Sequence, residues 1–162
     1  MTTKQPTITQ PRSAGPEFSP HRREELPTPV VLVVSQDSLL RWALYEALTA
    51  ANLRVLTCSD EAHARDVLPH VEARFSVAVI DDDTWPLTRS ERDWLHLLSP
   101  GMPIVILTHP NQTQKQNLEC RIKELGLAEV VHKPFDIGEL VRLVARLASP
   151  RRGPRHLHRA LN

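Results

Sequence analysis

The chain predicts a three-layer α/β domain: a five-stranded parallel sheet, doubly wound by helices as (βα)5, in strand order 2-1-3-4-5. Three observations carry this prediction. Short β-rich apolar runs alternate with helical patterns from Pro29 to Ala148, which is the signature of βαβ units. The run Val77–Ile80 is apolar at consecutive positions, as a central strand covered on both faces requires. Each run also ends on polar residues: Ser35 and Gln36, then Asp82, then Thr108, then Lys133 with Pro134 behind it. In an open parallel sheet, the crevice at the carboxyl ends of the strands is where ligands and chemistry collect. Right-handed crossovers lead to the stated strand order.

The elements follow in turn. The first strand covers Val30–Val34, and helix one runs from about Ser38 to Ala51 with Leu40, Ala43, Leu44, Ala47 and Leu48 on one face. Strand two is Arg54–Cys58. Helix two starts near Ser59, whose hydroxyl can cap it, and ends about Pro69. Strand three is Ser76–Asp81, with a loop to about Thr88 and a helix to about Leu98. Pro100-Gly101 turns the chain into strand four, Ile104–Leu107. Helix four spans about Gln112–Leu125 and stops at Gly126, a C′ glycine. Strand five is Glu129–His132, and helix five runs from Asp136 to about Ala148, with Leu140, Val141, Val144 and Leu147 facing the sheet.

At 162 residues the chain fits one domain with two tails. Residues 1–28 hold prolines at 6, 11, 16, 20 and 27 and no apolar period, so they read as a disordered or extended tail. Residues 29–148 form the domain. Residues 149–162 form a basic flexible tail in which Arg151, Arg152, Arg155 and Arg159 face no acid. That tail lacks aromatic interleaving, and the net charge is +1, so nucleic acid is not an expected partner. Cys58 and Cys120 suggest neither a disulfide framework nor a zinc site. The N-terminus is no secretory signal and no apolar run reaches membrane-spanning length. A cytoplasmic location and no membrane insertion are expected.

The strand-end residues give the sequence its strongest resemblance: it is similar to the receiver domain of bacterial two-component response regulators, with a flavodoxin-like fold, over about Pro29 to Ala148. In that family an aspartate ending the third strand is phosphorylated and a proline follows four residues on, which matches Asp82 and Pro86. The resemblance implies that Asp82 accepts the phosphoryl group, that Thr108 hydrogen-bonds a phosphoryl oxygen and that Lys133 neutralises another. Magnesium would bind Asp82 and the backbone carbonyl of Thr84. Asp81 and Asp83 are expected to point away from the cleft by strand alternation.

Three departures mark this chain. Ser35 and Gln36 stand where the family has two adjacent acids that hold magnesium, and magnesium prefers carboxylate. Asp37 reaches the metal only if its turn shifts; otherwise it is an N-cap or first-turn acid of helix one. His109 follows Thr108 where the family has a small residue, so it either shields Asp82 or turns to solvent. Val130 replaces the aromatic that many receivers use as a switch. The expectation is a degenerate, pseudo-receiver module of a phosphorelay, with no enzymatic activity and with magnesium bound weakly or not at all. It would act through contacts with a histidine kinase, a phosphotransfer protein or a downstream effector, with a homodimer left open. Leu39, Trp42 and Tyr45, spaced i, i+3, i+6 on the outer face of helix one, form the expected partner surface. Two alternatives stand beside this one. The first is a working phosphoacceptor that completes its metal site with Asp37. The second is a phosphatase, since Asp81-Asp82-Asp83-Thr84 with Thr108 and Lys133 is similar to the haloacid-dehalogenase pattern. Trp85 breaks that pattern, and Asp136 or Glu139 would have to supply its further acid.

Overall fold

In the computed structural model, residues 28–109, 120, 122 and 124–149 are described. The elements are β1 (Val30–Val34), α1 (Ser38–Ala50), β2 (Arg54–Cys58), α2 (Glu61–Val67) with a 3-10 turn at Leu68–His70, and β3 (Phe75–Asp81). They continue with α3 (Arg89–Leu98), β4 (Ile104–Thr108), β5 (Glu129–His132) and α4 (Ile137–Ala148). The sheet order is β2-β1-β3-β4-β5 and every pairing is parallel, as the sequence predicts. Most of the helix expected over 112–125 and the bulk of both tails lie outside the described residues. What is described of that helix ends at Gly126, whose φ of 60° is the left-handed conformation glycine adopts freely. The Leu127 amide then closes on the Ile122 carbonyl at 3.1 Å, a six-to-one helix stop.

The side chains of each strand alternate between two cores. Val31, Val33, Val77, Val79, Val105 and Leu107 pack with Leu44 and Leu48 of α1 and Leu140 and Val144 of α4. Leu32, Val34, Ala78, Ile80, Ile104 and Ile106 pack with Leu68, Trp85 and Leu95 on the opposite face. This parity decides which strand-end residues meet. Trp85, 1% exposed, sits beneath the β3–α3 loop with its ring 6.3 Å from that of Trp94. Its amide bonds the Asp81 carbonyl at 2.9 Å, so the indole anchors the turn that follows β3.

Helix starts gather at the carboxyl end of the sheet; α3 begins on a Thr88–Glu91 capping box, and α1, α2 and α4 are capped by aspartates. Asp37 accepts from the amides of Leu39 and Leu40, and Asp136 from that of Glu139. Asp60 accepts from the amide of His63, so Asp60 rather than the expected Ser59 caps α2. The Ser59 hydroxyl instead donates to Asp60 Oδ2 at 2.8 Å. Cys58 closes β2 as a buried free thiol, and Cys120 is exposed. Among the described residues no helix is long and apolar enough to cross a membrane.

Candidate functional site

β3 extends through Asp81, which sits in register with Leu107 of β4. Asp81 therefore shares the parity of Val77 and Val79, and by the same alternation Ser35 follows Val31 and Val33 while Lys133 follows Val131. The three meet. Lys133 Nζ donates to Asp81 Oδ1 at 2.6 Å, and Ser35 Oγ donates to Asp81 Oδ2 at 2.7 Å. The carboxylate is 3% exposed, so both its oxygens are satisfied from within the fold. The Asp83 amide adds a contact to Oδ1 at 3.2 Å. This corrects the expectation that Asp81 and Asp83 turn away from the cleft. The expectation counted back four residues from Pro86, but the chain makes one more residue of turn before that proline, with the amides of Thr84 and Trp85 both on the Asp81 carbonyl.

Lys133 also bonds Asp83 Oδ2 at 3.0 Å, and His109 Nε2 lies 3.3 Å from the same oxygen. Burial alone would lower the Lys133 pKa, but the hydrogen bonds to Asp81 and Asp83 and their charge hold it above the usual lysine value. His109 stands at the solvent-exposed rim over Asp83.

The remaining expected residues are placed differently. Asp82 is half-buried on the other strand parity, its amide bonded to the Leu107 carbonyl at 2.9 Å. Thr108 is buried, its hydroxyl aimed at the His109 carbonyl at 3.5 Å, while its own carbonyl receives the Lys133 amide at 2.8 Å. Thr84 Oγ1 accepts the Gln36 amide at 2.7 Å, tying the β1–α1 loop to the β3–α3 loop. Arg41 Nη1 donates to the Ser35 carbonyl at 2.5 Å and steadies the same loop. Asp37 Oδ1 caps α1, the N-cap role the sequence offered. Leu39, Trp42 and Tyr45 are 69%, 61% and 43% exposed on the outer side of α1, as expected.

A magnesium ion needs anionic oxygens that are open to it. Here Ser35 spends its proton on Asp81, Lys133 holds the other Asp81 oxygen, and the Gln36 that replaces the second acid is neutral and exposed. Among the described residues no group of three or more His, Cys, Asp or Glu side chains is disposed to hold a metal ion. The acid pair through which the resemblance holds the ion is replaced by Ser35 and Gln36, and Ser35 and Lys133 close on Asp81 instead.

No protein-family model matches the chain. In sequence it is 30% identical over 128 residues to the DNA-binding transcriptional regulator NtrC of Salmonella typhimurium, covering 74% of this chain and 25% of that protein. The same figures hold for NtrC of Escherichia coli K12. The chain thus spans about a quarter of the length of these relatives. In structure it is similar to a response regulator from Thermotoga maritima, with a TM-score of 0.63 at 19% identity over 76% of this chain and 99% of that one. It is likewise similar to the chemotaxis response regulator CheY4 of Vibrio cholerae, with a TM-score of 0.60 at 23% identity over 74% and 98%. The non-phosphorylated HemR receiver domain of Leptospira biflexa gives a TM-score of 0.61 at 24% identity over 77% and 98%. The described domain thus has the fold of solved response-regulator receivers and is similar in sequence to about a quarter of NtrC.

Proposed function

We propose that this domain is a receiver, a signalling module of a cytoplasmic phosphorelay that works through protein contacts, with magnesium-dependent phosphorylation weak or absent. The observation that carries the reading is the closed state of Asp81: Lys133 on one oxygen, Ser35 on the other, and no acid pair beside it. An aspartate attacks a phosphoryl group through a free carboxylate oxygen, with cations offsetting charge on the transferring oxygens. Lys133 is already neutralised by Asp81 and Asp83 in this cleft. The acceptor position, if any group is transferred, is Asp81 rather than Asp82, because Asp81 alone contacts Lys133 and Ser35 together. The exposed face of Leu39, Trp42 and Tyr45 is the surface offered to a partner.

The test is incubation with a small-molecule phosphodonor and magnesium, followed by intact mass. The wild type and Asp82→Asn remain almost unlabelled, while Ser35→Asp with Gln36→Asp gains labelling that a further Asp81→Asn removes. Stoichiometric labelling of the wild type defeats the reading and leaves an ordinary phosphoacceptor. Labelling lost with Asp82→Asn but kept with Asp81→Asn returns the acceptor to Asp82. The phosphatase alternative gains one observation, since Asp81 and Asp83 converge on Lys133. Of its two candidates for the further acid, Asp136 caps α4 with Oδ1 on the Glu139 amide at 2.8 Å, and Glu139 lines the groove beside β5. Turnover of a generic phosphate ester with magnesium would revive it.

A further inference from the structure

β5 is the edge strand of the sheet, and an edge leaves a row of backbone groups unpaired. Between this edge and α4 lies a groove of about 300 Å³. Its floor is apolar, made by Val131, Phe135, Leu140 and Leu143, and its rim carries Glu129, Asp136 and Glu139 against the single base Arg146. The rim is therefore net acidic over an apolar floor. Such a surface fits an extended segment with several cations and one or two apolar anchors.

The chain itself carries that segment. The 13 residues 150–162 hold Arg151, Arg152, Arg155 and Arg159, no acid, and Leu157 and Leu161 as apolar residues. They leave from Ser149, at the end of α4 that lies beside the start of β5. Extended, 13 residues reach roughly 45 Å, whereas the 12 residues of α4 span only about 18 Å. Arg155, six residues past Ser149, reaches about 20 Å and comes level with Glu139, which lies roughly 15 Å up the helix. Arg151 and Arg152, two and three residues past Ser149, have reach only for the base of the groove, where Glu129 begins β5. Pro150 and Pro154 favour the extended backbone that such a path requires.

We propose that residues 150–162 fold back as an internal ligand of the β5–α4 groove, their arginines on Glu129 and Glu139 and a leucine over the apolar floor. Composition alone predicts a solvated tail; the groove provides a seat for it. Held there, the segment covers this edge of the sheet and competes with any other basic partner for it.

The test is hydrogen exchange of the 162-residue chain, read on the β5 amides that do not pair with β4 and on the first turns of α4. Reversing the tail charges (Arg151→Glu, Arg152→Glu, Arg155→Glu, Arg159→Glu) speeds exchange there about three- to tenfold. Sodium chloride at about 1 M does the same to the wild type, since exposed pairs are screened at that strength. Adding Glu129→Lys and Glu139→Lys to the reversed tail restores protection, which a general loss of stability would not do. Equal exchange in the wild type and the reversed tail overturns the proposal. So does protection that falls on dilution, because a second copy of the chain would then be the occupant.

Discussion

A carboxylate that is 3% exposed at the end of a central strand is tolerable only when its oxygens are bonded and its charge is offset. Asp81 has both, from Ser35 and Lys133. Removing the ammonium strands the charge in a poorly solvated place. Lys133→Met is expected to cost about 2 kcal/mol, less than a fully buried pair because Ser35 and the Asp83 amide still donate. Asp81→Asn in the same chain should recover about half of that, since the unpaired charge disappears. Urea unfolding of the single and double variants measures this, and a change below about 0.5 kcal/mol for Lys133→Met would show that the pair contributes nothing. The need for a polar cluster here was legible from the residues after each strand. Which of the three consecutive aspartates enters it was not. The spacing to Pro86 pointed to Asp82, whereas strand parity counted from Val77 and Val79 points to Asp81. Which of the two holds depends on where the strand ends and the turn begins, and the Thr84 and Trp85 amides on the Asp81 carbonyl fix that point.

At the scale of elements, helix starts are set by residues whose side chains satisfy the first amides. Asp37 does so for α1 through Leu39 and Leu40 at 2.9 and 3.0 Å, and Asp136 for α4 through Glu139 at 2.8 Å. Each should be worth about 1 kcal/mol, so Asp37→Ala and Asp136→Ala lower stability by that amount while Asp37→Asn changes little. If Asp37 instead held a metal, Asp37→Asn would abolish magnesium binding while sparing stability, and calorimetric titration separates the outcomes. The bounds of β1, β2 and β5 were readable to the residue, because each is a short β-rich run closed by turn residues. The cap of α2 was read one residue early. Ser59 and Asp60 are both competent caps, and only the backbone turn shows that Asp60 holds the His63 amide.

For the whole molecule, the buried Cys58 and the half-buried Lys133 bind their protons more tightly folded than unfolded. Burial pushes the Cys58 thiol from 9.0 up to about 11, with Asp60 adding to the rise and Arg41 opposing it. Lys133 is held above its ordinary 10.5 by Asp81 and Asp83 against the lowering effect of burial. Between the unfolded and folded values the native state carries more protons, so stability falls as pH rises. Both contributions are fully present below pH 9.0. The thiol's share, up to about 3 kcal/mol, is lost as pH rises to about 11, and the lysine's share begins to go above 10.5. Chemical denaturation at a series of alkaline pH values should show this decline, and Lys133→Met should flatten its upper part. A stability that stays level from pH 9 to 11 would contradict it.

The sequence by itself determined the class of fold, the five strands and their order, and the cluster of polar residues at one end. These follow from local periodicity and from handedness rules that act on any chain. Tertiary structure decided which side chains touch. Whether Asp81 or Asp82 faces Lys133 depends on one extra residue of turn, pinned by the buried Trp85 and by the register of β3 on β4. A shift of one residue exchanges the two faces of a strand, and no local pattern specifies how a loop will take up that residue. The groove beside β5 is likewise invisible in sequence, because its floor and rim come from an edge strand and a helix brought together only when the sheet is built.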